Sequence, residues 1–230
     1  SSTDFLKDKG EVAGEADERT LVDLLVEQIE FANVILLNKV DLVSEKELKI
    51  IRAVIRGLNA KAKIIETTNS KVAMNEVMNT NLYDLKEAQN HPLWAQELYN
   101  PDDHTPETEE YGISSFVFRS KKPFDPERFL QYVHHKFPNT IIRSKGLFWL
   151  ASRPQQALIW GQAGGSLRTD SAGVWWSSMS FQQRTQYASF LDNQHQIESD
   201  WHSHFGDRKN EIVFIGQNMD KEKIMADLNA

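Results

Sequence analysis

Within residues 20–31, Leu21, Leu24, Leu25, Ile29 and Phe31 recur at near-helical spacing and predict an amphipathic helix. Val34-Ile35-Leu36-Leu37 is a short apolar run without alternation, as expected of a strand buried on both faces of a parallel sheet. Ser44 and Glu47 then form an S-x-x-E capping box, and Leu48, Ile51, Val54, Ile55 and Leu58 line one face of the helix that it starts. Residues 63–67, KIIET, read as a second short strand. Strand, helix and strand in that order make a βαβ unit. Two parallel strands need cover on both faces and both edges, so this part reads as the remnant of a larger α/β domain. A further helix is expected over 82–99.

The pattern changes after NPDDHTPETEEYG, a stretch rich in proline and acid that reads as a linker. GISSFVFRS is a predicted strand. FDPERFLQYVHHKF is a predicted helix, with Asp125 as its N-cap and Pro126 in its first turn. TIIRSKGLFWLAS and QALIWGQAG are strands joined through a turn at Arg153-Pro154, and residues 172–177 are expected to add another. Gly161 to Ser166, GQAGGS, reads as a turn. A polar helical stretch over 180–201 leads to the strand EIVFIG, and DKEKIMADLNA closes as a helix. Strands outnumber helices, which predicts an α+β unit with one antiparallel or mixed sheet. The expected division is 1–99, a linker over 100–111, and 112–230.

Composition narrows the class. The chain has 230 residues, 40% of them hydrophobic and 26% charged, the profile of a soluble globular protein. No apolar run is long enough to cross a bilayer, and residues 1–20 do not resemble a signal peptide, so a cytoplasmic location without membrane association is expected. With no cysteine, disulfides and thiolate metal ligands are excluded within these residues. The net charge of -7 is uneven: residues 1–110 carry 12 basic and 22 acidic side chains, and residues 111–230 carry 14 and 11. That split favours attraction between the two parts over nucleic-acid binding.

The strongest chemical signal is Asn38-Lys39-Val40-Asp41, directly after the first strand. A carboxylate can accept from guanine N1–H and N2–H together, a donor pair that adenine lacks. Asp41 is the candidate for that role, with Lys39 laid over the base plane. Asn38 either meets the acceptor edge of the base or ties neighbouring loops. The loop after the second strand, Thr68, Asn69, Ser70, Lys71 and Val72, is the candidate supporting loop. No G-x-x-x-x-G-K-[ST] occurs, and no glycine is followed by lysine, so these residues by themselves are not expected to hydrolyse GTP. His202 and His204, with His195 nearby, are candidate metal ligands, against the plainer reading of a solvated loop. Arg119, Lys121, Lys122, Arg143 and Lys145 near Phe148 and Trp149 read either as solvated strand ends or as a docking surface, for which the acidic first part or a client protein suits better than DNA. Asp102, Asp103 and His104 read as exposed linker.

DERTLVDLLVEQIEFANVILLNKVDLV, AKIIETTNSKV and NEVMNTNLYDL resemble the latter part of the GTPase domain of CobW-type proteins. RSKGLFWLA and FGDRKNEIVFIG resemble the C-terminal domain of the same family. The resemblance implies a P-loop GTPase remnant (a βαβ with flanking helices) followed by an α+β CobW C-terminal-like domain. It implies a guanine motif at Asn38, Lys39 and Asp41, with residues 68–72 in support. It further implies a longer parent that binds GTP or GDP with Mg2+, hydrolyses GTP, and carries zinc or cobalt to a client protein. Upstream phosphate, magnesium and cysteine metal motifs would then belong to that parent. Self-association through exposed apolar surface is also expected. The alternatives are a stand-alone protein-interaction module with a relic nucleotide motif, or a zinc-binding regulatory protein that uses the histidines.

Overall fold

The computed structural model describes residues 20–84 and 111–230. Helix α1 (Leu21–Phe31) starts at a Thr20 capping box completed by Asp23. Strand β1 (Val34–Asn38) pairs in parallel with β2 (Lys63–Thr67), with Ile35 opposite Ile64 and Asn38 opposite Thr67. Between them lie a 3-10 turn (Val40–Leu42) and helix α2 (Glu45–Leu58), capped by Ser44 and Glu47 as the sequence predicts. A single turn, α3 (Met74–Val77), follows. Of the helix expected over 82–99, residues 82–84 are irregular, and the remainder lies outside the described residues, as do Asp102, Asp103 and His104.

The second part is a five-stranded antiparallel sheet in the order β3-β7-β4-β5-β6. Its strands are β3 (Ile113–Ser120), β4 (Ile141–Phe148), β5 (Gln156–Ala163), β6 (Ser166–Val174) and β7 (Asn210–Gln217). Its helices are α4 (Pro126–His135), α5 (Phe181–Arg184), α6 (Ala188–Ser199) and α7 (Lys221–Asn229). Asp125 caps α4 by accepting from the N–H groups of Glu127 and Arg128, as expected. Two expectations are corrected. The strand placed at 172–177 begins at Ser166, just after a β5–β6 turn in which Gly164 takes φ +54°, and residues 176–178 are a 3-10 turn. The helix over 180–201 is two helices, because the Ser180–Gln183 capping box starts a single turn that ends before α6 begins.

Both faces of the sheet are covered. On one face Phe116, Phe118, Phe148, Leu158, Trp160, Ile212 and Phe214 pack with Tyr132 of α4 and with Ile224 and Leu228 of α7. Each fully buried large side chain there contributes about 1.5–3 kcal/mol. On the other face Val213 and Ile215 meet Leu58 and Val54 of α2 and Val26 and Ile29 of α1. Helices α1 and α2 therefore cover the second sheet. Their arrangement is pinned by the Asn59 side chain. Its amide donates to the carbonyls of Ile29 and Ala32, and its carbonyl accepts from the N–H groups of Lys61 and Ala62. Asn59 is 3% exposed, so these bonds are shielded from competing water.

Candidate functional site

The carboxyl ends of β1 and β2 carry the candidate guanine loops, the end of an α/β unit at which ligands bind. Asn38 is the last residue of β1, and the loop after β2 turns back towards it. The Asn38 amide donates to Ser70 Oγ at 3.0 Å, and its carbonyl accepts from the Ser70 N–H at 2.9 Å. The Ser70 N–H is a pure donor, which fixes the end of the amide that is oxygen. Asn38 thus ties the two loops together, the second of the two roles open to it. Thr67 Oγ1 donates to the Lys71 carbonyl at 2.7 Å, and the Lys71 N–H donates to the Thr68 carbonyl at 3.2 Å, which closes the 68–71 turn.

Backbone conformation marks the same place. Lys39 takes φ 64°, Asn69 takes 54° and Ser70 takes 55°. Asparagine tolerates the left-handed region; lysine and serine adopt it only at a cost. Among the described residues, Lys39 and Ser70 are the only non-glycine, non-asparagine positions with positive φ. Such conformations concentrate at binding sites, where surrounding contacts hold them. After Lys39 the chain enters the 3-10 turn through a bond from the Leu42 N–H to the Lys39 carbonyl at 3.0 Å, and this turn leaves Asp41 exposed. Lys39, Asn69, Ser70 and Lys71 are exposed as well, and Thr68 and Val72 are half-buried.

The His202 and His204 rings lie edge to face with centroids 6.0 Å apart, but the candidate metal histidines do not build a three-ligand group. His202 Nδ1 accepts from the N–H groups of His204 at 3.1 Å and Phe205 at 3.3 Å, so that nitrogen holds a turn. Its ring stacks on Phe205 with centroids 5.0 Å apart, and His195 stands exposed on α6. Among the described residues, no group of three or more His, Asp or Glu side chains is placed to hold a metal ion.

The basic cluster divides. Phe148 and Trp149 are buried, and Arg119 meets Glu211 at 3.4 Å. Arg143 is neither a solvated strand end nor an open docking surface. It is 4% exposed and makes a bidentate pair with Glu30 of α1, from Nε at 2.8 Å and from Nη2 at 3.2 Å. Ser166 Oγ adds a second link by donating to Asp23 at 2.7 Å. Burial lowers the Lys145 pKa from its ordinary value, with Glu30 opposing the shift, Arg143 adding to it and Glu27 opposing it. The acidic first part is therefore the partner that docks on this basic face. Sequence inspection does not reveal the Glu30–Arg143 pairing, because 113 positions separate the two residues.

Comparison with known proteins gives two family matches. Residues 113–230 match the family described as the cobalamin synthesis protein cobW C-terminal domain, and residues 5–66 match the CobW/HypB/UreG nucleotide-binding domain. The zinc-regulated GTPase metalloprotein activator 1 of Dictyostelium discoideum is 42% identical over 231 residues, 99% of this chain and 47% of the relative. A zinc chaperone of Mycobacterium tuberculosis is 26% identical over 217 residues, 93% of this chain and 50% of the relative. The chain spans about half the length of these curated relatives. The Zn(II)-bound YjiA GTPase from E. coli aligns at 20% identity with a TM-score of 0.39, covering 90% of this chain and 54% of that one.

Proposed function

The chain belongs to the CobW family, and we propose that it supplies the guanine-reading part of a GTP-binding, GTP-hydrolysing metallochaperone. In this reading residues 1–99 are the latter part of the GTPase domain, 100–111 a linker, and 112–230 the CobW C-terminal domain. Asp41 accepts from guanine N1–H and N2–H, the Lys39 stem covers the ring, and residues 68–72 close the other side of the base. The observation that supports this is the reciprocal pair of hydrogen bonds between Asn38 and Ser70. They hold both loops in place before any ligand arrives, so little ordering cost remains for binding.

Hydrolysis and its Mg2+ are proposed for a protein of the relatives' length, since the 230 residues contain no G-x-x-x-x-G-K-[ST]. Zinc is the proposed cargo, by analogy with the names of the Dictyostelium and Mycobacterium relatives, with cobalt as the second candidate and a metal-receiving client protein as the partner.

The test is calorimetric titration of GDP, ADP and XDP onto the wild-type chain and Asp41→Asn. Charge-assisted hydrogen bonds contribute about 1.5–3 kcal/mol each, so GDP binding falls roughly 10²-fold or more when both are lost. Asparagine offers an N–H to the 2-oxo group of xanthine, so the variant gains XDP binding. Equal binding of GDP and ADP, or a guanine preference that survives in Asp41→Asn, refutes the assignment.

A further inference from the structure

On the sheet face opposite α1 and α2, helices α4 and α7 leave the end of β3 uncovered. A groove of about 950 Å³ opens there, between the β3–α4 loop, the two helices and the turn at His202–Phe205. This is the size of a small-molecule site. Phe124, Phe129, Phe205 and Leu228 supply apolar wall.

Four cations lie along it: Lys121, Lys122, Arg128 and Lys136. Lys121 donates to the Asp200 carbonyl at 3.0 Å, a neutral acceptor that positions the charge without cancelling it, whereas Arg128 donates at 2.5 Å to a carboxylate oxygen of Ala230, the last residue of the sequence, which offsets its charge. Lys122 and Lys136 are exposed, and among the described residues neither these two nor Lys121 is in a salt bridge. Besides the Ala230 carboxylate, two side-chain carboxylates oppose them. Asp125 is already engaged by the first N–H groups of α4, and Asp227 is half-buried beside Tyr132. Tyr132 lines the groove, 5% exposed, and its hydroxyl is buried without a hydrogen-bond partner. An unmet buried hydroxyl is costly, and the groove is the adjacent space from which an acceptor can reach it.

We propose that this groove binds a small organic oxyanion, an anionic head group carried on an aromatic or aliphatic body. The cations attract and orient the head while the phenylalanines take the body. The site lies across the sheet from the guanine loops and does not depend on the nucleotide reading.

The probe is 8-anilinonaphthalene-1-sulfonate, an anion on an aromatic body, compared with uncharged N-phenyl-1-naphthylamine. Both are titrated by fluorescence onto the wild-type chain and Lys122→Ala/Lys136→Ala. Among the described residues these two exposed side chains make no salt bridge, so the folded core is not at stake. The double variant weakens the sulfonate about fivefold to tenfold and changes the neutral dye less than twofold. Amide NMR shifts on adding the sulfonate fall in residues 120–136 and 202–205. Inorganic phosphate and acetate compete, and the stronger competitor identifies the head-group class. Unchanged sulfonate affinity in the variant, equal loss for both dyes, NMR shifts confined to other surfaces, or displacement by neither anion each overturns the proposal.

Discussion

Replacing Glu30 by glutamine removes the carboxylate that faces two cations, Arg143 and Lys145. Arg143 and Glu30 have side chains 5% and 4% exposed, so neither can recover its lost partner from bulk water. Removing one member of such a pair costs about 3–5 kcal/mol, because the other charge stays buried and uncompensated. The two single changes are not equivalent. Arg143→Met leaves Glu30 still facing Lys145, whereas Glu30→Gln leaves Arg143 and Lys145 facing each other. Glu30→Gln is therefore the more damaging, and Arg143→Met costs about half as much or less. A double change, Glu30→Gln with Arg143→Met, recovers much of the loss, since no strong charge is then stranded. The assay is urea unfolding followed by tryptophan fluorescence. With slopes of about 1–3 kcal/mol/M, the Glu30→Gln midpoint falls by roughly 1–5 M. If both single variants lose under about 0.5 kcal/mol, or if the double variant loses the sum of the two, the pair is not the coupled buried contact described.

Two further outcomes follow from the same sheet. A methyl group on Gly146 would stand 1.9 Å from the Glu211 carbonyl oxygen and 2.7 Å from Ile212 Cα, both backbone atoms of the neighbouring strand. Gly146→Ala thus costs about 1–3 kcal/mol or more, while Gly161→Ala, whose nearest contact is at 3.9 Å, is tolerated; thermal unfolding of the two variants separates them. Lys145 has its pKa lowered from 10.5 in the folded chain, so the unfolded chain binds the extra proton between the lowered value and 10.5. Stability from this group rises with pH across that window, and Lys145→Met removes the rise, as read from denaturation midpoints at successive alkaline pH values.

What was legible in the sequence was local. The Ser44–Glu47 and Asp125 caps, the β1–α2–β2 unit and the β4–β5 hairpin each depend on residues a few positions apart, and each formed as the pattern implied. Strand β6 was placed late because all of it but Ser166 is exposed, leaving no alternation of burial to detect. Helix α1 misled in a more informative way. Its apolar spacing pointed to Leu25 and Phe31 as buried, yet these are 49% and 53% exposed, while Asp23 and Glu30 are 7% and 4% exposed. Periodicity assumes an apolar partner. The surface that receives α1 presents Arg143 and Ser166, so the buried positions are the polar ones that can pair with them. That surface comes from residues more than a hundred positions away, which no local window contains.

This exchange of partners bears on how the proposed guanine loops are held. Among the described residues, strands β1 and β2 have only each other as neighbours, too little to fix a ligand site alone. The support comes from α1, which is seated on the five-stranded sheet by Arg143 and Ser166 and leads through Ala32 and Asn33 directly into β1. Asn59 joins the end of α1 to the approach to β2, so both strands start from positions fixed by one buried side chain. At their far ends the Asn38–Ser70 pair joins them again. The proposed base-reading loops therefore rest on a frame closed at both ends and anchored in the C-terminal sheet, with Arg143 part of the support beneath Asn38 though it does not touch it.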